Sequence, residues 1–320
     1  MPTKSVSSLR VDGRDVSLSN QEKILFPRDR YTKGDLVQYY FAVAEWLVPH
    51  LEDRPLTLQR YPDGIDGSSF FEKQKPRFTP DWIETVALDA PYTHGKTKRI
   101  EYILCNDAAT LVWCANLASI VLHTWYSRVQ SVDAPDYALF DLDPFECTAK
   151  TLAIVALEMR DTLQAIGLTA LVKTSGGSGL HVVVPLRPQY DYDTVKQFGE
   201  IIARHVAAAR PKETTLERTI SRRSKGTVYL DYVQVGKGKT VVPPFVVRAR
   251  DGAPVSMPLD WSEVEALARK RGGDPERESG RWTIKNALAR LRREGDLWAG
   301  KAWKEARLEP ALKKAGRLWA

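Results

Sequence analysis

Apolar residues at helical spacing mark the first long element of the chain. Leu36, Tyr40, Val43, Leu47 and Leu51 recur about every fourth residue behind Thr32, a good N-cap, and predict an amphipathic helix over 32–51. Short apolar runs bounded by turn residues then predict strands at 56–61, 69–72, 83–88 and 99–104. Asn106 or Asp107 can cap a further helix running to about residue 119.

The pattern changes from residue 137. An apolar strand over 137–143 ends in carboxylates, and a helix is expected over 148–166 with Gly167 at its C-cap. Strands at 168–173 and 180–185 flank a Gly/Ser turn, a helix follows at 193–209, and a strand at 227–233. Val246 and Val247 fit a last short strand. This order predicts an α/β (α+β) fold, a mixed or antiparallel central sheet flanked by helices. The expected organisation is a loose tail at 1–14, an N-terminal subregion at 15–130, a core at 131–260 and a helical segment at 261–320, all in one compact unit.

Charge and composition narrow the function classes. The net charge of +7 fits a polyanionic partner without requiring one. The segment from Trp261 holds 15 Lys/Arg against 9 Asp/Glu, which suits a solvated helical face as well as a DNA-binding one. Cys105, Cys114 and Cys147 form no CxxC pair and have no His at zinc spacing, so reduced thiols are expected rather than a zinc site. Residues 1–14 lack an apolar signal core and no apolar run matches a membrane span, so the expected location is the cytoplasm, at the nucleoid, with no membrane partner.

The sharpest chemical signal is Leu139-Phe140-Asp141-Leu142-Asp143-Pro144. Side chains alternate along a strand, so Asp141 and Asp143 share one face while Leu142 enters the core, and Pro144 is expected to end the strand. Two crowded carboxylates repel unless a cation neutralises them. Asp231, inside the apolar run Val228–Val233, is a third candidate. If the two strands are neighbours, three carboxylates converge and can hold two Mg²⁺ or Mn²⁺ ions for in-line attack on phosphorus. The alternative is that Asp141 and Asp143 cap a turn and Asp231 pairs with an arginine.

Ser175, Gly176, Ser178 and His181 lie in a Gly/Ser turn whose N–H and hydroxyl groups can grip an anion, or which is a plain hairpin loop. Arg248 and Arg250, and Arg222, Arg223 and Lys225 ahead of the Asp231 strand, can hold phosphate or be solvated charges. Phe70, Phe71 and Lys73 form an aromatic and basic cluster, with Phe71 expected to be the exposed ring and its neighbour to face the core. Lys23 and Lys33 flank a turn near Pro27 and can clamp a terminal phosphate; His123 sits in an apolar stretch that suits a core histidine.

Taken together, these segments resemble the polymerase domain of bacterial ATP-dependent ligase D, in the archaeo-eukaryotic primase superfamily. The matching pieces are Ser19-Asn20-Gln21-Glu22-Lys23, Phe70-Phe71-Glu72-Lys73-Gln74, Phe140-Asp141-Leu142-Asp143-Pro144, the Thr174–His181 turn, Val228-Tyr229-Leu230-Asp231 and Arg248, spanning roughly 15–250. The resemblance implies a primase-polymerase core that adds nucleotides to 3′-OH ends during non-homologous end joining. It implies metal binding by Asp141, Asp143 and Asp231, triphosphate binding by Ser175, His181 and Arg248, and a place near the active site for His123. It further implies that Lys23 and Lys33 hold the downstream 5′-phosphate and that Phe71 stacks on a templating base; Arg60 remains from a basic pair. DNA with gaps or 5′-phosphorylated ends, NTP and dNTP substrates, Ku and a DNA ligase are the implied partners.

Departures from that pattern affect nucleotide affinity more than chemistry. Ser178 stands where relatives often carry Lys, Gln59 replaces a basic residue, and Arg223 or Lys225 substitutes for one expected near Ser224. No KxDG ligase nucleophile occurs, so a stand-alone polymerase or a piece of a larger ligase is expected, without nick sealing of its own. Two rival classes use the same residues: a metal-dependent nuclease, and a non-catalytic module that recognises 5′-phosphorylated ends.

Overall fold

The structure is a computed structural model and describes residues 6–91 and 97–319. By its internal contacts the chain forms two compact units that alternate along the sequence. The first contains 1–130, 240–256 and 282–295; the second contains 131–239, 257–281 and 296–320.

The first unit begins with strands β1 (Val6–Val11), β2 (Arg14–Ser19), β3 (Ile24–Phe26) and β4 (Tyr31–Thr32), which form two antiparallel hairpins. Part of the stretch read as a loose tail is therefore an ordered strand, paired residue by residue from Val6↔Ser19 to Val11↔Arg14, while residues 1–5 lie outside the described residues. Alternate residues of β2, Val16 and Leu18, are buried, a weak period-two signal in a polar stretch. Helices α1 (Lys33–Ala42) and α2 (Ala44–Leu51) occupy the helical stretch expected at 32–51. Thr32 and Asp35 form a reciprocal capping box, and Val43, at φ −101° and ψ 4°, divides the two helices. Pro49, which has no N–H to donate, lies inside α2.

Next come β5 (Pro55–Arg60), β6 (Phe70–Glu72), β7 (Thr85–Pro91), β8 (Thr97–Leu104), α3 (Ala108–Asn116) and β9 (Ser119–Trp125). Asp107 caps α3, its carboxylate accepting from the Thr110 N–H at 2.7 Å.

The second unit holds β10 (Tyr137–Phe145), α4 (Ala149–Ala165), β11 (Leu171–Thr174), β12 (Leu180–Pro185), α5 (Tyr192–Ala209), β13 (Thr214–Thr215) and β14 (Thr227–Asp231). Strand β15 (Thr240–Val241) belongs to the first unit; β16 (Pro258–Leu259), α6 (Trp261–Arg269) and α7 (Pro275–Ser279) to the second; α8 (Ala287–Glu294) to the first; and α9 (Leu308–Leu318) to the second.

Each unit contains one large sheet. In the first the strand order is β15-β9-β5-β8-β7, with β6 also paired to β5. In the second it is β13-β14-β10-β12-β11-β16, antiparallel except for the parallel β13–β14 pair. The first sheet is antiparallel throughout and the second is mixed by its one parallel pair; both are flanked by helices, as the sequence predicts.

Helix α5 packs on one face of the second sheet, where the Phe198 ring meets that of Phe140 at 6.4 Å and Gly199 admits Tyr232 and Phe140. By alternation, Asp141 and Asp143 point to the opposite face. Burying Phe140, Leu142, Leu180 and Val182 beneath helices is the main driving force for this layer, at about 1.5–3 kcal/mol for each large side chain.

Pro144 does not end β10, which continues to Phe145. The Phe145 carbonyl accepts from Gly226 on the β14 side. Alternation therefore turns the Pro144 nitrogen toward the β12 side, where pairing has already stopped at Leu142. The expected strand at Val246 and Val247 is reduced to a single bridge, Val247↔Val255.

Candidate functional site

Asp141 lies at the centre of a polar row in the second unit. Its Cα partner on β14 is Asp231 and its partner on β12 is His181. Residues directly opposite in an antiparallel pair project from the same face, with Cβ atoms about 5 Å apart. Asp143, two residues along β10, is therefore diagonal to Asp231 on that face. Its carboxyl pKa is raised, first by burial and then by the negative charge of Asp231, while Arg223 opposes the shift.

Asp231 is buried, and its oxygens accept from the Val233 N–H at 3.0 Å and the Gln234 amide at 2.8 Å. Among the described residues no three His, Cys, Asp or Glu side chains already stand at metal-coordinating spacing. The three carboxylates share a face without being drawn together. Their hard oxygen donors and mutual repulsion fit a divalent ion such as Mg²⁺ or Mn²⁺.

The Gly/Ser turn packs against this row. The His181 Nε2 is 3.4 Å from the Asp141 Oδ1. A Cβ placed on Gly179 would lie 2.5 Å from the Leu142 carbonyl oxygen and 3.7 Å from the Asp141 Oδ1. Glycine at 179 is what allows the turn to touch the carboxylate strand.

Ser175 organises the turn from within. Its hydroxyl oxygen accepts from the N–H groups of Gly177 and Gly179, each at 3.1 Å, and its own N–H donates to the Gly179 carbonyl at 3.0 Å. The sequence reading treats successive N–H groups as facing one anion, but two of them are already used inside the turn. Gly176, at φ +69°, and Ser178 carry the N–H groups that Ser175 does not take.

Arg223 lies 4.0 Å above the Tyr229 ring, on the strand position opposite Asp143, and donates to the carbonyls of Glu217 and Arg218. Lys225 is exposed and pairs with Glu146 at 2.8 Å, so of the two basic candidates Arg223 is the one beside the carboxylates.

In the first unit, Lys23 and Lys33 come together. The Lys33 N–H donates to the Lys23 carbonyl at 2.7 Å, and the Lys23 ammonium pairs with Asp63 at 2.7 Å. Lys33 is buried and donates to the Asn116 carbonyl at 2.9 Å. Its pKa falls to about 8, chiefly from burial and then from the charge of Lys23.

A second cluster forms where β5, β6 and β9 meet. Thr57↔His123 and Gln59↔Phe71 are cross-strand pairs, and the Phe71 and His123 rings stand edge to face at 5.4 Å. The His123 Nε2 is 3.4 Å from the Gln59 side-chain oxygen. Burial, and then the charge of Arg248, hold the His123 pKa down to about 3. His123 is thus a neutral group in a polar contact rather than an inert core ring.

Both Phe70 and Phe71 are exposed, at 44% and 59%, against the expectation that one would face the core. Among the described residues the three-residue edge strand β6 pairs only with β5, and Phe70 lies on the Arg60 guanidinium at 5.3 Å instead. Arg60 itself is tied to Glu72 at 2.9 Å and to the Leu117 carbonyl at 3.0 Å. Lys73 follows this strand, half-buried.

Comparison with known proteins adds the decisive observation: residues 32–298 match the family described as LigD, primase-polymerase domain. The chain belongs to that family.

Curated LigD relatives include a bifunctional non-homologous end joining protein of Bacillus subtilis, 33% identical over 253 residues, covering 78% of this chain and 40% of the relative. A multifunctional non-homologous end joining protein of Pseudomonas aeruginosa is 29% identical over 313 residues, covering 97% of this chain and 36% of the relative. The chain therefore spans less than half the length of these LigD proteins. A solved polymerase domain from Mycobacterium tuberculosis ligase D, in complex with DNA, superimposes with a TM-score of 0.78 at 30% identity over 88% of this chain and 96% of that one.

The sequence reading passed over Lys173. It is 1% exposed and pairs with His181 across β11–β12, extending the polar row by one strand. The signal was present: one lysine in the apolar run Leu171-Val172-Lys173, on the parity that faces His181. Gln59, noted only as a missing charge, proves to be the hydrogen-bonding neighbour of His123.

Proposed function

We propose that this chain is a primase-polymerase that extends DNA ends by nucleotidyl transfer. The 3′-oxygen of a primer attacks the α-phosphorus of an NTP or dNTP; the bond to the bridging oxygen breaks, pyrophosphate leaves, and the hydroxyl proton passes to solvent. The observation that carries this reading is the placement of Asp231, Asp141 and His181 directly across from one another on three adjacent strands, beside the Ser175 turn.

In this reading Asp141, Asp143 and Asp231 hold two divalent ions, Mn²⁺ or Mg²⁺. Such ions, when bound, ease proton loss from the attacking hydroxyl and offset the charge of the leaving group. Ser175 keeps the turn closed against β10, so that Gly176 and Ser178 present backbone donors and His181 a ring N–H to the phosphates. Arg248 and His123 serve the incoming nucleotide, with His123 as a neutral hydrogen-bonding group. Lys23 and Lys33 hold a 5′-phosphate, and Phe71 stacks on a template base with Phe70 and Lys73 alongside. Arg223 steadies the primer or nucleotide near Asp143, and Arg60 and Lys225 are further DNA contacts.

Kinship with the LigD proteins supports a place in non-homologous end joining, with Ku and a DNA ligase as partners and the nucleoid-bearing cytoplasm as the site of action. No helix among the described residues is long and apolar enough to cross a membrane.

The test is primer extension on a gapped, 5′-phosphorylated duplex, with NTPs or dNTPs and with Mn²⁺ or Mg²⁺. Lengthening of the primer upholds the reading. Metal-dependent shortening makes the chain a nuclease, and binding of the 5′-phosphorylated gap without any extension makes it an end-recognition module.

A further inference from the structure

The polar row that crosses the second sheet is asymmetric in charge. Register places Asp231, Asp141, His181 and Lys173 on four consecutive strands, β14, β10, β12 and β11, each opposite the next. Adjacent strands are about 4.8 Å apart, so the row runs from two carboxylates at one end to an amine at the other over about 15 Å. His181 lies between the acidic and basic parts, its Nε2 3.4 Å from the Asp141 Oδ1. Lys173 is almost wholly buried, at 1% exposure. A lysine in so dry a position is costly unless negative charge faces it.

We propose that Lys173 is a positioning residue for the triphosphate. Resting on the polymerase reading, it deepens that reading by assigning the charge that orients the nucleotide along the row. Lys173 is too buried to wrap a phosphate itself. It acts through His181 and through its field, favouring anionic phosphates at the β12 end and opposing cations at the β10 end. This chain carries Ser178 rather than a cation within the turn, so the positive end of the row comes from behind the turn.

Opposite signs for anion and cation distinguish this role from a merely structural one. Lys173→Met removes the charge and keeps the length. Two direct titrations read it without turnover: Mn²⁺ alone, and a non-hydrolysable nucleoside triphosphate. At about 10 Å and an effective dielectric of about 20, losing a unit charge changes an affinity by about tenfold. The Met variant is expected to bind the nucleotide about tenfold more weakly and Mn²⁺ several-fold more tightly. Lys173→Arg should restore wild-type values, and steady-state extension should show the change in KM for nucleotide rather than in kcat.

Equal binding of both ligands by wild type and the Met variant would overturn the proposal. So would a parallel loss of both affinities together with a lower melting temperature. Lys173→Gln is read by the same titrations should the Met variant not fold; if neither neutral variant folds while the Arg variant does, the amine is structural and the proposal falls. A wild-type chain that binds neither ligand overturns the polymerase reading and the role of Lys173 together, whereas a wild type that binds both with unchanged variants overturns the role of Lys173 alone.

Discussion

Asp231 faces Asp141 directly across the β10–β14 ladder, and the acidic charge of Asp231 also raises the pKa of Asp143. Two strands therefore bring three carboxylates to one face, and the charge of Asp231 acts on Asp143 across the ladder. Replacing either partner of the facing pair removes an oxygen donor that no neighbour in the row supplies. Asp141→Ala and Asp231→Ala are each expected to lower primer extension by at least about a hundredfold, leaving affinity for duplex DNA within about twofold. Near-normal extension by Asp141→Ala in Mn²⁺ would dismiss the metal-binding role.

Gly179 is the contact between the turn and the carboxylate strand. A methyl group there meets the Leu142 carbonyl at 2.5 Å, a backbone atom that cannot swing away. Gly179→Ala should cost about 2–4 kcal/mol and weaken nucleotide binding as well. Gly167→Ala is the matched control: it imposes strain at φ +87° with open space around the new methyl group, for about 1–2 kcal/mol and no loss of nucleotide binding. Thermal melts and nucleotide titrations of the two variants separate collision from strain.

Lys33 gives the first unit a pH signature. Its pKa is lowered to about 8, so its charge fades as pH rises through that value. Affinity for a 5′-phosphorylated end should fall between pH 7 and 9, with the inflection shifted upward by the bound phosphate, and Lys33→Met should flatten the curve. For stability the sign is opposite. The unfolded lysine keeps its proton up to about 10.5, so between about 8 and 10.5 the unfolded chain binds more protons and this residue's contribution rises with pH. Fluorescence anisotropy and melting scans over the same range check both signs.

His123 should show no titration between pH 5 and 8, because burial and the charge of Arg248 hold its pKa near 3. Nitrogen NMR of labelled histidines is expected to find one ring that stays neutral throughout that range. Arg248→Ala should raise the value only part of the way, since burial is the larger cause. A midpoint near 6.5 in the intact chain would contradict the packing described for β9.

Much of the second unit was readable because its information is local. Alternation in Leu139–Asp143 placed two carboxylates on one face there, and in the first unit Asn106 and Asp107 offered the helix cap that Asp107 supplies. What was lost depends on pairing across the chain. Strand β9 follows α3 as an unbroken apolar run, Ile120-Val121-Leu122, which periodicity cannot tell from more helix. Lys173 gained meaning only once β11 was set beside His181. Phe70 and Phe71 look like a half-buried strand until β6 is seen to be an edge three residues long. The donors of the Gly/Ser turn could not be counted before Ser175 was found to hold two of them.

The two units are threaded through one another in sequence, and this governs how the chain can be made or cut. The first unit receives 240–256 and 282–295 only after most of the second has been synthesised. Val255 donates to the carbonyl of Trp282, and Ile284 to that of Ala253, so the late piece completes hydrogen bonds that the earlier one leaves waiting. A ribosome releasing this polypeptide cannot finish its leading half first, and a protease cutting near residue 270 would leave two fragments, neither holding a whole unit.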